Sequence, residues 1–162
     1  MCERWLAQAD RAVAGLIGAG QWLVLPVSLL LFLQWPLRDL LHAYSTAAND
    51  LAQWLFALYV SLAVTAATRA GTHLAAGSFA QRYSPQARGR IVKAAALFCV
   101  LPWSGFVLMA GAPDAWRSLR MLEAFPETYN PGYFLVKASA MLLAAVLLAQ
   151  GMIDVLRPAP KR

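Results

Sequence analysis

Charged side chains are scarce in this sequence. Only 14% of its 162 residues are Asp, Glu, Lys or Arg, whereas 60% are hydrophobic, and the mean hydropathy is +0.52. A soluble domain of this length needs more polar surface than these residues supply. The composition therefore predicts an all-α integral membrane protein, folded as a single membrane domain over residues 1–162.

Cysteine and histidine are also rare, with two of each. Cys2 lies at the start of the chain and Cys99 lies within an apolar run, so we expect neither a disulfide framework nor a metal site. His42 and His73 could hold a haem if they lay on the same side of a membrane. The topology predicted below separates them by roughly the thickness of a bilayer, so no cofactor is expected.

Four apolar runs are long enough to cross a hydrocarbon layer of about 30 Å as helices. The predicted spans are residues 12–35, 50–68, 91–110 and 133–155. Gly15, Gly18 and Gly20 predict a close helix contact in the first span, and Pro26 predicts a kink in it. Pro36 and the segment 111–132 are read as parts of connections, because proline and glycine interrupt helices.

Lysine and arginine are distributed unevenly around these spans. The connections 36–50 and 111–132 carry only Arg38, Arg117 and Arg120. The N-terminus, the middle connection and the C-terminal tail carry the larger set, namely Arg4, Arg11, Arg69, Arg82, Arg88, Arg90, Lys93, Arg157, Lys161 and Arg162. Basic connections stay in the cytoplasm, so both termini are predicted to be cytoplasmic. The net charge of +6 then needs no nucleic-acid partner.

The sequence contains no paired carboxylates, no phosphate-binding glycine loop and no cluster of metal ligands, so we do not expect an enzyme. Among the charged residues of the predicted spans, only Lys137 comes close to lying inside the hydrocarbon. It lies one turn from the end, and we expect an anchor at the interface or an ion pair with Glu127 or Asp50. Asp50 is expected to cap the second span.

Two stretches resemble a known family of membrane subunits. The run NDLAQWLF at 49–56 precedes an apolar span that ends in RAGTHL at 69–74, and the later segment contains NPGY at 130–133, Leu135 with Lys137, and Gln150 with Gly151. In this order they resemble the small permease (DctQ-like) subunit of TRAP transporters, although Asn49 replaces an acid that is usual there. The resemblance marks these family-motif or subunit-contact positions: Asp50, Trp54, Arg69, Gly71, His73 and Lys137.

The resemblance implies a component of a sodium-coupled secondary transporter for organic acids in the bacterial inner membrane. Its implied partners are a large permease subunit, a periplasmic solute-binding protein and membrane lipid. In such systems the large subunit moves the solute, and the small subunit is expected to act as a scaffold beside it. The spans of this chain lack the acidic or broken-helix site of a transporter, which fits that division of roles.

Two other classes of function stay open at this stage. One is a membrane redox subunit that binds haem through His42 or His73. The other is a free-standing small transporter, which the lack of a polar binding site in the spans disfavours.

Overall fold

The computed structural model describes residues 2–41, 45–70 and 83–156. Within these ranges the secondary structure is helical, and four helices are long and apolar enough to cross a membrane. They cover Arg4–Leu40, Thr46–Ala70, Gln86–Met121 and Tyr133–Leu156. The prediction of an all-helical chain with four candidate spans is confirmed, and the first and third spans are much longer than predicted.

The first span consists of two α-helices joined by a short 3₁₀ segment. Helix α1 covers Cys2–Gly20, the 3₁₀ segment covers Gln21–Leu23, and α2 covers Val24–Leu41. Pro26 has no N–H to offer the carbonyl four residues earlier, at Trp22, which lies in the 3₁₀ segment. The 3₁₀ segment thus lies shortly before Pro26, the residue at which the sequence predicts a kink.

The third span also changes its helical geometry before a proline. Helix α4 covers Pro85–Ala95, a π-helical segment covers Ala96–Val100, and α5 covers Leu101–Met121. The N–H of Leu101 bonds to the carbonyl of Ala96, five residues earlier. Pro102 would crowd the carbonyl of Phe98 in a regular helix, and the wider π turn accommodates the ring.

Two predicted helix ends were wrong for the same reason. Pro36 lies inside α2 and Pro113 lies inside α5, so neither residue ends its helix. Membrane helices tolerate such residues, because neighbouring groups compensate for the lost backbone bond. The end of α5 is set instead by Leu122, whose left-handed backbone (φ 47°) lets the N–H of Glu123 bond to the carbonyl of Ser118 at 3.1 Å.

The second and fourth spans agree with the prediction to within a few residues. Helix α3 covers Thr46–Ala70 and α6 covers Tyr133–Leu156. Helix α6 is the centre of the bundle and contacts α1, α3, α4 and α5. In its most apolar stretch 39% of the residues are buried, against 11% in the first and third spans. The two long spans therefore present most of their apolar surface outward.

Three glycines mark the closest approaches between helices. A Cβ atom on Gly20 would overlap the side chain of Leu62 on α3, and one on Gly111 would lie 2.6 Å from Cε of Met141. A Cβ atom on Gly151 would lie 3.0 Å from Cδ2 of Leu101. The predicted contact at Gly15 and Gly18 is not made within the described residues, because none of their atoms lies within 4 Å of the Cβ position at either glycine.

Some predictions fall outside the described residues. These are the family-motif positions Gly71 and His73, the second histidine, His42, and the C-terminal tail from residue 157.

Candidate functional site

Polar side chains gather at the two ends of the bundle. Asp50 and Lys137 lie in the first turns of α3 and α6 and make contacts near one end, which we call the Asp50 end. Arg69, at the last turn of α3, contacts α1 and the later part of α6 at the other end, which we call the Arg69 end. From Lys137 to Gln150 on α6 the two levels are about 20 Å apart, at 1.5 Å per residue.

Asp50 is buried at the Asp50 end, where it holds the connection between α5 and α6. Its Oδ2 atom accepts a hydrogen bond of 2.6 Å from the Thr128 hydroxyl and one of 2.9 Å from Nδ2 of Asn130. The side chain is 6% exposed. Because a buried carboxylate must be hydrogen-bonded, these two donors explain how the acid is accommodated.

The segment 122–132, which we call the outer loop after its predicted side of the membrane, is further ordered by its own backbone. The N–H of Phe125 donates to the carbonyl of Asn130 at 2.8 Å, and the N–H of Tyr133 donates to the carbonyl of Glu123 at 3.0 Å. The Phe125 ring is buried and meets the Tyr133 ring edge to face, with centroids 5.7 Å apart. Asp50 therefore fastens a loop that already has a defined fold.

Tyr129 occupies the exposed part of the outer loop. Its backbone is left-handed (φ 57°), a conformation that is unfavourable for residues other than glycine, and 84% of the side chain is exposed. Its neighbours Thr128 and Asn130 are both bonded to Asp50. The outer loop thus holds an aromatic ring in solvent at a strained but fixed position.

Lys137 pairs with two acids of the preceding segment. Its Nζ atom lies 2.8 Å from Oε2 of Glu123 and 3.0 Å from Oδ2 of Asp114, and 5.6 Å from the centre of the Tyr133 ring. The predicted partners, Glu127 and Asp50, were wrong. Helix α5 continues past Pro113, and this continuation brings Asp114 to the level of Lys137.

The same contacts perturb the titration of Glu123. The hydrogen bond from Lys137 holds the pKa of this carboxyl below its ordinary value. Ser118 is 3% exposed, and its Oγ atom does not reach the geometry of a hydrogen bond with any described residue. A cleft of about 260 Å³ opens beside these groups and is lined by Asp114, Arg117, Ser118, Met121, Glu123 and Lys137.

At the Arg69 end a second polar cluster joins three helices. Nη2 of Arg69 lies 2.8 Å from Oδ1 of Asp10 on α1, and Nη1 lies 3.3 Å from Oε1 of Gln150 on α6. Gln150 in turn donates from Nε2 to Asp154 at 2.9 Å. Gln150 is 2% exposed, and both the oxygen and the nitrogen of its amide are bonded inside the bundle. The cluster fixes the positions of α1, α3 and α6 relative to one another.

Between the two ends, hydroxyl groups bond to backbone carbonyls. The Ser61 hydroxyl lies 2.8 Å from the carbonyl of Ser139 on α6 and 2.7 Å from that of Ala57 on its own helix. Thr65 and Ser104, which are fully buried, donate within their own helices. These groups satisfy the hydrogen-bonding requirement of polar atoms in an apolar interior.

The predicted site residues therefore do not form one site. Asp50 and Lys137 lie at one end, Arg69 lies at the other, and Trp54 is partly buried on α3 one turn after Asp50. Sequence reasoning missed Thr128 and Asn130, together with Asp10, Asp114 and Glu123. The need of Lys137 for a counter-charge was the available signal for the last two, since both acids precede it in the same connection.

The arrangement ties helices together and fixes a loop. Among residues 2–41, 45–70 and 83–156 no group of three His, Cys, Asp or Glu side chains converges as metal ligands would. In comparisons with known proteins, no family model, no curated protein and no solved structure matches this chain.

Proposed function

We propose that this chain is the small membrane subunit of a sodium-coupled, binding-protein-dependent TRAP transporter for organic acids. It acts in the bacterial inner membrane as a scaffold for the large permease subunit. Its outer loop offers a docking surface to the periplasmic binding protein. The order of the motifs from Asn49 to Leu74 suggests the family, and the use of the polar side chains in the described spans supports the role.

The observation that carries the scaffold role is that four buried polar side chains inside the spans bind other parts of the same chain. Ser61, Thr65 and Ser104 bond to carbonyl groups, and Gln150 bonds to Arg69 and Asp154. A transporter binds its solute and ion near the bilayer midplane through polar groups and broken helices. Because these described groups are already bonded, solute movement is assigned to another subunit.

The outward apolar faces of the long spans leave room for a membrane partner. Phe32 on α2 and Phe106 on α5 are 72% and 70% exposed. Lipid can cover such faces, and so can the helices of a larger permease. A scaffold with rigid ends and broad apolar sides fits packing against the helices of a larger permease.

Co-purification tests the proposal directly. The tagged chain is extracted gently from its native membrane, and the proteins retained with it are identified and quantified. We expect a many-span permease in equal amount. Recovery of this chain alone, without a stable partner, would contradict the scaffold role.

Transport measurements then test whether the chain is needed. The large subunit is reconstituted with its binding protein, with and without this chain, and sodium-driven uptake of the organic acid is compared. We expect uptake only when the chain is present. Full uptake by the large subunit alone would sink the proposal.

A matched pair of substitutions tests docking at the outer loop. Tyr129→Ala removes a ring that is 84% exposed at the Asp50 end, whereas Trp5→Ala removes one that is 72% exposed at the Arg69 end. We expect Tyr129→Ala to weaken binding of the binding protein to the reconstituted complex by roughly tenfold or more, as for an aromatic contact residue. Trp5→Ala should leave that affinity unchanged, and equal effects of both would refute docking at this loop.

A further inference from the structure

The third span is far longer than a membrane requires. Gln86–Met121 contains 36 residues and measures about 54 Å as a helix, whereas a hydrocarbon layer is about 30 Å thick. Helix α6, with 24 residues, measures about 36 Å. The excess of the third span must therefore lie in the headgroup layers or in water.

Contacts with α6 show which part of the third span lies beyond the hydrocarbon. A hydrocarbon layer of about 30 Å can be centred on α6 midway between the levels of Lys137 and Gln150. At the Arg69 end, this layer ends near Ile153. Gly151 packs against Val100 and Leu101, so the same boundary meets the third span near residue 98. The headgroup layer adds roughly 5 to 7 Å on each side, so the last turn of α4 lies at its outer edge and the earlier turns lie just beyond it.

These turns carry a concentration of positive charge. Arg88 and Arg90 are exposed and Lys93 is partly exposed, and from residue 83 to residue 113 the chain contains no Asp or Glu. Within the described part of the chain, none of the three forms an ion pair with a carboxylate. Lys93 lies at headgroup level, and the longer arginine side chains can reach back toward it from the next turns.

We propose that Arg88, Arg90 and Lys93 form a binding surface for the headgroups of anionic phospholipids at the Arg69 end. Arg90 and Lys93 lie one turn apart on the same face of α4 and Arg88 lies on the opposite face, so headgroups can approach this end of the helix from two sides. Ile91 and Val92, between them, are 50% and 47% exposed, so no other part of the described chain covers this stretch of α4. This surface does not depend on the TRAP proposal, because it concerns lipid alone.

Lipid titration of the purified full chain tests the proposal. The delipidated protein in an uncharged detergent is titrated with phosphatidylglycerol or phosphatidylcholine of identical acyl chains, and bound lipid is counted by native mass spectrometry. One basic residue near an anionic surface contributes about a fivefold change in affinity. We expect Arg88→Gln with Arg90→Gln and Lys93→Gln to weaken phosphatidylglycerol binding roughly tenfold or more and to leave phosphatidylcholine unchanged.

The control removes the same number of charges from the other end. Arg38→Gln with Arg117→Gln and Arg120→Gln should preserve the preference for phosphatidylglycerol. Equal losses in both triple variants would mean that total charge, not this surface, attracts the lipid, and would overturn the proposal. Displacement of the lipid by an equal concentration of inorganic phosphate would also overturn it, because the surface would then be a phosphate site.

A second pair of variants leaves all three basic residues in place. Gly89 has open space around its Cβ position, so a longer side chain fits there without a clash. Gly89→Glu inserts a negative charge among the three bases, and Gly89→Gln inserts a neutral side chain of the same size. We expect Gly89→Glu to weaken phosphatidylglycerol binding about fivefold relative to Gly89→Gln. Equal affinities would refute the proposal even if the triple variant failed to fold.

Discussion

Asp50 shows how a single buried acid can be accommodated and used. One carboxylate oxygen accepts both the Thr128 hydroxyl and the Asn130 amide, 78 and 80 residues away in the chain. An unpaired buried carboxylate would be strongly unfavourable, so these donors are a condition of its burial. In return, the acid fixes the residues on either side of Tyr129.

We predict that Asp50→Ala destabilises the protein by about 1 to 3 kcal/mol, because it leaves two partly buried donors without an acceptor. The amide hydrogens of the outer loop should also exchange faster with solvent. Unfolding in mixed detergent and hydrogen exchange measure the two effects. Asp39→Ala is the control, since Asp39 pairs with the adjacent and exposed Arg38, and we expect a loss below about 1 kcal/mol. Similar losses in both variants would contradict the anchoring role of Asp50.

Because Glu123 is paired with Lys137, we expect the stability of the protein to depend on pH. The contact with Lys137 lowers the pKa of Glu123 in the folded protein, so its stabilising contribution is present above the unfolded pKa of about 4.3. That contribution is lost as the pH falls through the lower, folded pKa. We expect the melting temperature of the wild type to fall more steeply below about pH 4.3 than that of Glu123→Gln. Parallel profiles would show that the ion pair does not contribute.

At the scale of the helices, small residues and prolines have different effects from those expected. Gly20 and Gly151 allow close packing, whereas the Cβ positions of Gly15 and Gly18 have no described atom of another residue nearby. Pro26 and Pro102 coincide with local changes in helical geometry, whereas Pro36 and Pro113 lie within regular helix. Local sequence rules identify where a helix is weakened, but the neighbouring helices determine whether it ends.

Two glycines on α1 allow a matched test of packing. Gly20→Ala places a methyl group against Leu62 and should cost about 1 to 3 kcal/mol, because the core there has no room. Gly18→Ala adds the same methyl group in open space and should stabilise the helix by up to about 1 kcal/mol. Unfolding in mixed detergent measures both. If both variants were destabilised equally, glycine would be required at these positions for backbone flexibility rather than for packing.

At the scale of the whole molecule, charge is placed at two levels separated by an apolar middle. The level of Lys137 and the level of Arg69 are about 20 Å apart along α6. Both levels therefore lie near the edges of a hydrocarbon layer of about 30 Å, where long side chains can reach water. The basic residues of α4 lie beyond the Arg69 level, and the outer loop lies beyond the Lys137 level.

This arrangement predicts the topology in the membrane. In a variant whose own cysteines are replaced, Gly89→Cys should react with an impermeant thiol reagent only from the cytoplasmic side. Tyr129→Cys should react only from the periplasmic side, because the predicted orientation places both termini in the cytoplasm. Both positions are exposed, so access is not limited by burial. Labelling of both from the same side would refute four spans, and exchanged sides would refute the orientation.

The sequence by itself determined the class of protein and the number of its candidate spans. Few charges and four long apolar runs allow hardly any other structure, because only a helix satisfies its own backbone in lipid. It also located Asp50, Arg69 and Lys137 as polar groups at helix ends. These are properties of composition and of short segments, so no knowledge of the packing was needed.

Only the tertiary structure decided which groups meet. Asp50 is bonded to residues 78 and 80 positions away, and Arg69 is bonded to residues 59 and 81 positions away. Lys137 pairs with Glu123 and Asp114 because α5 continues through Pro113. No local sequence rule predicts this pairing. Such pairings depend on the rotation and level of each helix against its neighbours, and these are fixed by packing at contacts such as that of Gly151 with Leu101.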